Sequence, residues 1–435
     1  MLKQWIMAYL CVIGAAYGAD FHATPTGAGL QDGSDWSNAL GKDSLSTVFN
    51  EVMQPGDRLL LGSGVYSAAK LNLKVGGEPP APKVIAGVDR GEGLPCLRGS
   101  WSIESPAEGA TAIRIDAGVS NVTLTDLRIE RFKMGVHVPS SKGLKKSSQL
   151  VFRNIDMQWM RHGFYLAGCT NTTLKGCDLS RYSKHGFRFE EGCSHIQLLE
   201  CTADCSTGDA EWEKQTELFP FGFIVNQSSE QQTDFLFQDC LAQNNRMPLQ
   251  DRKYKNGDGF VVEKTTTNVE FVRCRAIRNQ DGGFDLKPRG IKLRDCVAVD
   301  NSRQYRLWDD GTLTNCFAGR GTVGLWNNGG SVVVTDSTFF GLTDAAVLTD
   351  DHADGGVVLQ NCIVASCNRV ARHTAHGKTE QRETLVADSP NANGVVSFVG
   401  DEEKTWTGLT NAMNARSHPD KGYRYIGRRV GDTGE

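Results

Sequence analysis

Asp258, Asp281, Asp285 and Arg306 are the residues of this chain whose types and spacing could do chemistry. They stand in Asn256-Gly257-Asp258-Gly259-Phe260, in Asp281-Gly282-Gly283-Phe284-Asp285 and in Tyr305-Arg306-Leu307. If these segments are successive turns of one solenoid, three carboxylates and a cation project from one patch of its wall. That is a metal-and-base constellation. Lys287 and Arg289, next to Asp285, are cations that could hold the carboxylates of a substrate.

A solenoid is what the rest of the chain must supply to position them. Apolar-x-x-Cys recurs at Leu174/Cys177, Leu198/Cys201, Phe237/Cys240, Phe271/Cys274, Leu293/Cys296, Leu313/Cys316 and Leu359/Cys362, with Ser337 interrupting the column. Gly-apolar pairs recur out of phase with it at Gly135, Gly163, Gly186, Gly222, Gly259, Gly283 and Gly324, and Gln304 takes the glycine's place in one coil. A core of about 20 residues with insertions of variable length suits a parallel β-helix of two or three short strands per coil. Period-two alternation broken by Gly, Asn and Asp argues against helical repeats.

The repeat also fixes a register. Phe164, Phe187, Phe260, Phe284 and Tyr305 belong inside, and the alternate columns face out. One outer column reads His137, Tyr165, Arg188, Ile224, Val261, Asp285, Arg306, Trp326, and the next reads Glu190, Asn226, Glu263, Lys287, Trp308. Stacked charged and aromatic groups suit a long polar polymer, which makes Arg188, Lys287, Arg289, Trp308 and Trp326 candidate substrate contacts. The alternative for any one of them is a solvated wall.

The chain has 435 residues, a net charge of −4, 48 glycines and 13 cysteines. The charge argues against nucleic acid as partner. Lys3, the apolar run from Trp5 to Ala16 and the small residues around Ala16-Tyr17-Gly18 read as an export signal over 1–18, too short to span a bilayer. A secreted or periplasmic monomer without a membrane span is expected. Residues 19–110 read as an N-terminal cap and first coils, 111–375 as the parallel β-helix and 376–435 as a C-terminal coil and cap. Asp43-Ser44 opens an amphipathic helix carrying Leu45, Val48, Phe49 and Val52, which would cover the first coil's open edge. Trp406 to Arg416 reads as a second small cap. Seven cysteines in one repeat column read as a ladder of buried thiols, whereas Cys169 and Cys193 are the better disulfide candidates. Two insertions, acidic Ser206 to Pro220 and basic Gln243 to Lys255, leave adjacent coils and could wall a cleft.

The strings around Asp258 and Asp281, together with Asn-Val-x-Phe-x-x-Cys-Arg-Ala from Asn268 to Ala276, resemble the calcium-site coils of pectate lyases in polysaccharide lyase family nine. The resemblance is detailed over roughly 250 to 310 and architectural elsewhere. It implies an all-β, right-handed parallel β-helix that cleaves an acidic polysaccharide such as pectate by calcium-dependent β-elimination. Asp258, Asp281 and Asp285 match three of that family's four calcium aspartates. The fourth falls on Gly282, and the catalytic lysine falls on Arg306. Arginine is the base in other pectate lyase families, which makes Arg306 the catalytic candidate here. A polygalacturonase-type hydrolase is the runner-up, although His162-Gly163 and His185-Gly186 precede the acids instead of following them and no Arg-Ile-Lys occurs. A noncatalytic glycan-binding or adhesion β-helix, with Tyr165, Trp308 and Trp326 as stacking platforms, is the third reading.

Overall fold

The computed structural model describes residues 18–140, 143, 145–247, 256–350, 355–374 and 377–387. The expected export signal up to Tyr17, the basic part of the second insertion from residue 248 on and the Trp406–Arg416 cap lie outside the described residues. The chain winds as a right-handed parallel β-helix. Each coil contributes three short strands. Gly282–Leu286, Ile291–Arg294 and Val297–Val299 stack in parallel on Arg303–Leu307, Gly311–Thr314 and Phe317–Asn327 of the next coil.

The corners between strands come from single residues in the left-handed backbone region. The residue before the cysteine column takes it in coil after coil: Glu200, Asp239, Arg273, Asp295, Asn315, Asp336 and Asn361 have φ between 52° and 59°. Asn171, His195, Asp234 and Asn268 form a second such corner. Asn and Asp tolerate this conformation better than other side chains, which is why the sequence is punctuated by them.

Glycine in the Gly-Phe pairs serves a different need. A Cβ on Gly186, Gly222, Gly259 or Gly283 would lie 2.5 to 2.6 Å from a carbonyl oxygen of the next coil, so the requirement is close approach of backbone. Where Gln304 replaces the glycine, the next coil sets Gly321 against it, whose Cβ would meet Gln304 Nε2 at 2.1 Å.

The interior is built of ladders. Phe187, Phe223, Phe260, Phe284 and Tyr305 stack with ring centroids 4.5 to 5.1 Å apart and nearly parallel planes. Such pairs add about 0.5–1.5 kcal/mol each beyond their area burial. Cys177, Cys201, Cys240, Cys274, Cys296, Cys316 and Cys362 are all buried and free. Each thiol from Cys201 on donates to a carbonyl of the coil before it, as Cys274 does to Phe237 at 3.3 Å. Ser337 and Thr384 continue the column with hydroxyls. Cys169 and Cys193 are free as well, and the Cys193 thiol sulfur accepts from the Cys169 backbone N–H at 3.3 Å.

At the N-terminal end, Lys42–Ser44, Leu45–Thr47 and Val48–Val52 form one composite helical run of 3-10, α and π turns. Leu45, Val48 and Phe49 enter the core of the first coils, but Val52 is exposed and Met53 is buried in its stead. The wider π turn rotates the last residues out of 3.6-residue phase. Lys83 crosses beneath and donates to the Phe49 carbonyl at 2.9 Å, which satisfies the buried end. Among the described residues no helix is long and apolar enough to cross a membrane.

Candidate functional site

Eight strands of one sheet position the site: β1 Met134–Val138, β2 Leu150–Ala167, β3 Asp178–Glu190, β4 Phe221–Val225, β5 Asp258–Val262, β6 Gly282–Leu286, β7 Arg303–Leu307 and β8 Phe317–Asn327. Their register pairs His137 with Tyr165, Tyr165 with Arg188, Arg188 with Ile224, Ile224 with Val261, Val261 with Asp285, Asp285 with Arg306 and Arg306 with Trp326. The outer column read from the repeat is therefore one continuous ladder. Its members are less exposed than an outward direction suggests, since Ile224, Val261 and Trp326 are buried. Neighbouring long side chains cover the short ones on a closely spaced ladder.

The three aspartates and Arg306 meet on β5, β6 and β7. Arg306 Nη1 lies 3.2 Å from Asp281 Oδ2 and 3.6 Å from Asp285 Oδ2. Arg303, which the sequence reading passed over, donates to Asp281 Oδ1 at 2.6 Å. Its only signal was its place one coil after Gly282. Trp308 Nε1 donates to Asp285 Oδ1 at 2.6 Å, and the Arg306 guanidinium lies 5.5 and 5.3 Å from the rings of Trp308 and Trp326. Asp258 is almost fully buried and accepts from the Gly282 N–H at 2.6 Å. Burial, with Asp285 and Asp281 adding to it, pushes its carboxyl up to about 8 against the opposing pull of Arg306. A Cβ at Gly282 would sit 2.8 Å from Asp258 Oδ1, 3.4 Å from Arg306 Cδ and 3.6 Å from Asp285 Cβ. Gly282, the position where the resemblance would put a fourth aspartate, thus points at the centre of the cluster and is already crowded.

The remaining candidates separate. Lys287 pairs with Glu263 at 2.5 Å and lies 5.7 Å from the Trp308 ring, on the rim of the cluster. Arg289 is 78% exposed and paired with Asp310, so it stands outside the cluster. Trp326 packs with Val323 and Leu348 and is no open stacking platform. Arg188 belongs to a second polar group, three coils away. There it binds Glu190 at 2.5 Å, reaches His185 Nδ1 at 3.3 Å and covers the Tyr165 ring at 4.6 Å. Burial pushes the Glu190 carboxyl up, but hydrogen bonds from Tyr165, Asn226 and Arg188 outweigh it and hold it low. The first insertion folds down on the wall, with Trp212 against Trp159 and Glu213 3.7 Å from Arg246 of the second.

Calcium is the group the resemblance implies, and the residues as arranged do not fit it. The Arg306 guanidinium stands where a cation shared by Asp281 and Asp285 would stand. Among the described residues no group of three or more His, Cys, Asp and Glu side chains is arranged to hold a metal. A groove of about 470 Å³ on another sheet, lined by Asn171, Thr173, His195, Gln197, Asp234 and Asn268, carries no such charge cluster. Its His195 and Asp234 pair with each other at 3.3 Å.

A family model described as a right handed beta helix region matches residues 117–318. No curated protein matches the chain in sequence. Among solved structures, the A-module of the Azotobacter vinelandii mannuronan C-5 epimerase AlgE6 is similar at TM-score 0.54 and 11% identity, over 86% of this chain and 100% of that one. The periplasmic alginate epimerase AlgG is similar at TM-score 0.50 and 8% identity, over 76% of each chain. Pectate lyase Pel9A aligns at TM-score 0.45 and 13% identity over 90% of this chain and 85% of that one. At such identities the likeness is one of fold.

Proposed function

We propose that the chain is an exported polysaccharide lyase that cleaves an acidic uronan by β-elimination at the Asp281–Asp285–Arg306 cluster. The observation that carries this reading is the Arg306 guanidinium held between two carboxylates on the outer face, 3.2 and 3.6 Å away. A uronate carboxylate arriving there competes for the same guanidinium. Its charge is thereby neutralised, which makes the neighbouring C5 hydrogen more acidic. The same competition frees Asp281 of one cationic partner and makes it a better proton acceptor. The elimination balances with proton exchange: C5–H passes its proton to Asp281, the electron pair forms the C4–C5 double bond, and the C4 glycosidic oxygen leaves with the electrons of its bond and takes up a proton from solvent, to which Asp281 returns its own. No water is consumed.

In the resembled family the residue at position 306 is the base. A guanidinium offers no lone pair for that task, so the role proposed for Arg306 here is electrostatic. Asp281, with a side chain 15% exposed, is more accessible than Asp285 at 8%. The test is a screen of pectate, alginate and related uronans read by the ultraviolet absorbance of the unsaturated product. Asp281→Asn should lower turnover by about a hundredfold or more with substrate affinity kept, as expected of a general base. Reducing ends without absorbance would indicate hydrolysis, inversion at C5 without cleavage an epimerase, and binding without product a glycan-binding protein. Calcium is proposed only as a competitor for the guanidinium's position.

A further inference from the structure

Lys133, Arg161 and Lys184 each stand two residues before the glycine of their coil, the place Asp281 holds in its own. The register pairs Met134 with His162 and His162 with His185, and His162 N–H donates to the Lys133 carbonyl at 2.9 Å, so the three cations stand at the same corner of successive coils, with one extra residue inserted opposite Arg161 where the register shifts. Strand neighbours are about 4.8 Å apart, and like charges directly opposite one another destabilise a sheet. Among the described residues none of the three is ion-paired. Arg188 stands on the same strand as Lys184, and Glu190 is the carboxylate that answers it.

The groups beside this stack are arranged for an anion as well. His162 is 5% exposed and its Nδ1 has no hydrogen-bond partner. Burial, then Arg188, Arg161, Lys184 and Lys133, hold it neutral far below the usual imidazole range. His185 is held neutral by burial, then His162, Arg188, Lys184 and Arg161. Burial first and then Arg161 and Arg188 push Lys184 down. The buried neutral imidazoles bring no charge to the stack, and among the described residues no carboxylate pairs with it.

We propose that Lys133, Arg161 and Lys184 form a strip that binds successive carboxylates of a linear acidic polysaccharide, leading along one face to the Asp281–Arg306 cluster. This rests on the uronan reading above and adds the residues that recognise the chain's length. Pro220 and Gly257 occupy the same place in the two coils between, so that column itself carries no carboxylate before Asp281. Three coil steps separate Lys184 from Asp281, about 14 Å at strand spacing. A repeating carboxylate polymer matches a ladder of regularly spaced cations. A nucleic acid is disfavoured by the chain's net charge of −4.

The test is calorimetric titration of the full chain with a long oligogalacturonate, with trigalacturonate and with duplex DNA. Neutralising all three positions (Lys133→Gln, Arg161→Gln, Lys184→Gln) should weaken the long oligomer by about tenfold or more and flatten its salt dependence. Trigalacturonate, too short to reach both places, should lose less affinity than the long oligomer. The charge-conserving set (Lys133→Arg, Arg161→Lys, Lys184→Arg) should hold the parent's affinity. Unchanged affinity in the neutral set, equal loss in both sets, DNA binding as tight as the oligomer, or no oligomer binding by the parent would each overturn the strip. A parent that yields product while the neutral set keeps its KM overturns the strip alone. Length-dependent binding lost in the neutral set without any product from the parent leaves the strip standing and removes the lyase.

Discussion

Asp258 and Arg306 make opposite demands on the same few ångströms, and both can be tested one residue at a time. A carboxyl raised to about 8 in the fold, against 3.8 when unperturbed, binds its proton more tightly folded than unfolded. Its contribution therefore makes stability fall as pH rises from about 4 towards 8. Asp258→Asn keeps an acceptor for the Gly282 N–H and removes the titration. Thermal unfolding followed across that window should show a smaller loss for Asp258→Asn than for the parent, and equal slopes would show that Asp258 is ionised in the fold. A cation shared by Asp281 and Asp285 would compete with the guanidinium for the same place. Arg306→Ala should abolish uronan turnover and raise calcium affinity above the parent's, because two carboxylates lose the cation between them. Calorimetry giving tighter calcium binding in the parent than in Arg306→Ala would mean that the ion and the guanidinium do not compete.

Among the elements, the Gly-Phe strands are the least tolerant. Gly259 lies 2.6 Å, measured from a built Cβ, from the Gly283 carbonyl oxygen and 2.8 Å from Asn279 Nδ2. Gly259→Ala should cost about 1–3 kcal/mol by overpacking, visible as a lower denaturant midpoint. Phe223→Ala, in the middle of the ring stack, should cost about 3–5 kcal/mol by leaving a cavity. The cysteine column makes a milder prediction. Its thiols are buried and hydrogen-bonded to carbonyls, so a thiol reagent should label Cys240, Cys274 and Cys296 only after denaturation. Rapid native labelling of those three would place the column outside the core. The capping run shows what spacing misses: Leu45, Val48 and Phe49 obey the helical period, and a π turn moves Val52 out and Met53 in.

A solenoid in which each coil touches its neighbours should lose structure from its ends inward. Hydrogen exchange should therefore be slowest in the coils carrying Phe187 to Tyr305, where rings, thiols and the Asn245–Asn279–Asn301 ladder coincide. Uniform protection along the described coils would mean that the molecule opens as one unit. How the columns run was legible in the sequence, because a repeat of short strands turns position in the coil into position on a face. Phe260 inward, Asp285 beside Arg306 and the buried cysteines followed from that alone. Tertiary structure alone decided which charges meet: that Arg303 takes one oxygen of Asp281, that Arg289 turns away to Asp310, that Trp326 is packed under its neighbours and that the Arg306 guanidinium lies between Asp281 and Asp285. Register is a property of the backbone, which the repeat encodes, whereas ion pairing depends on the reach of long side chains across coils whose stacking only the folded chain defines.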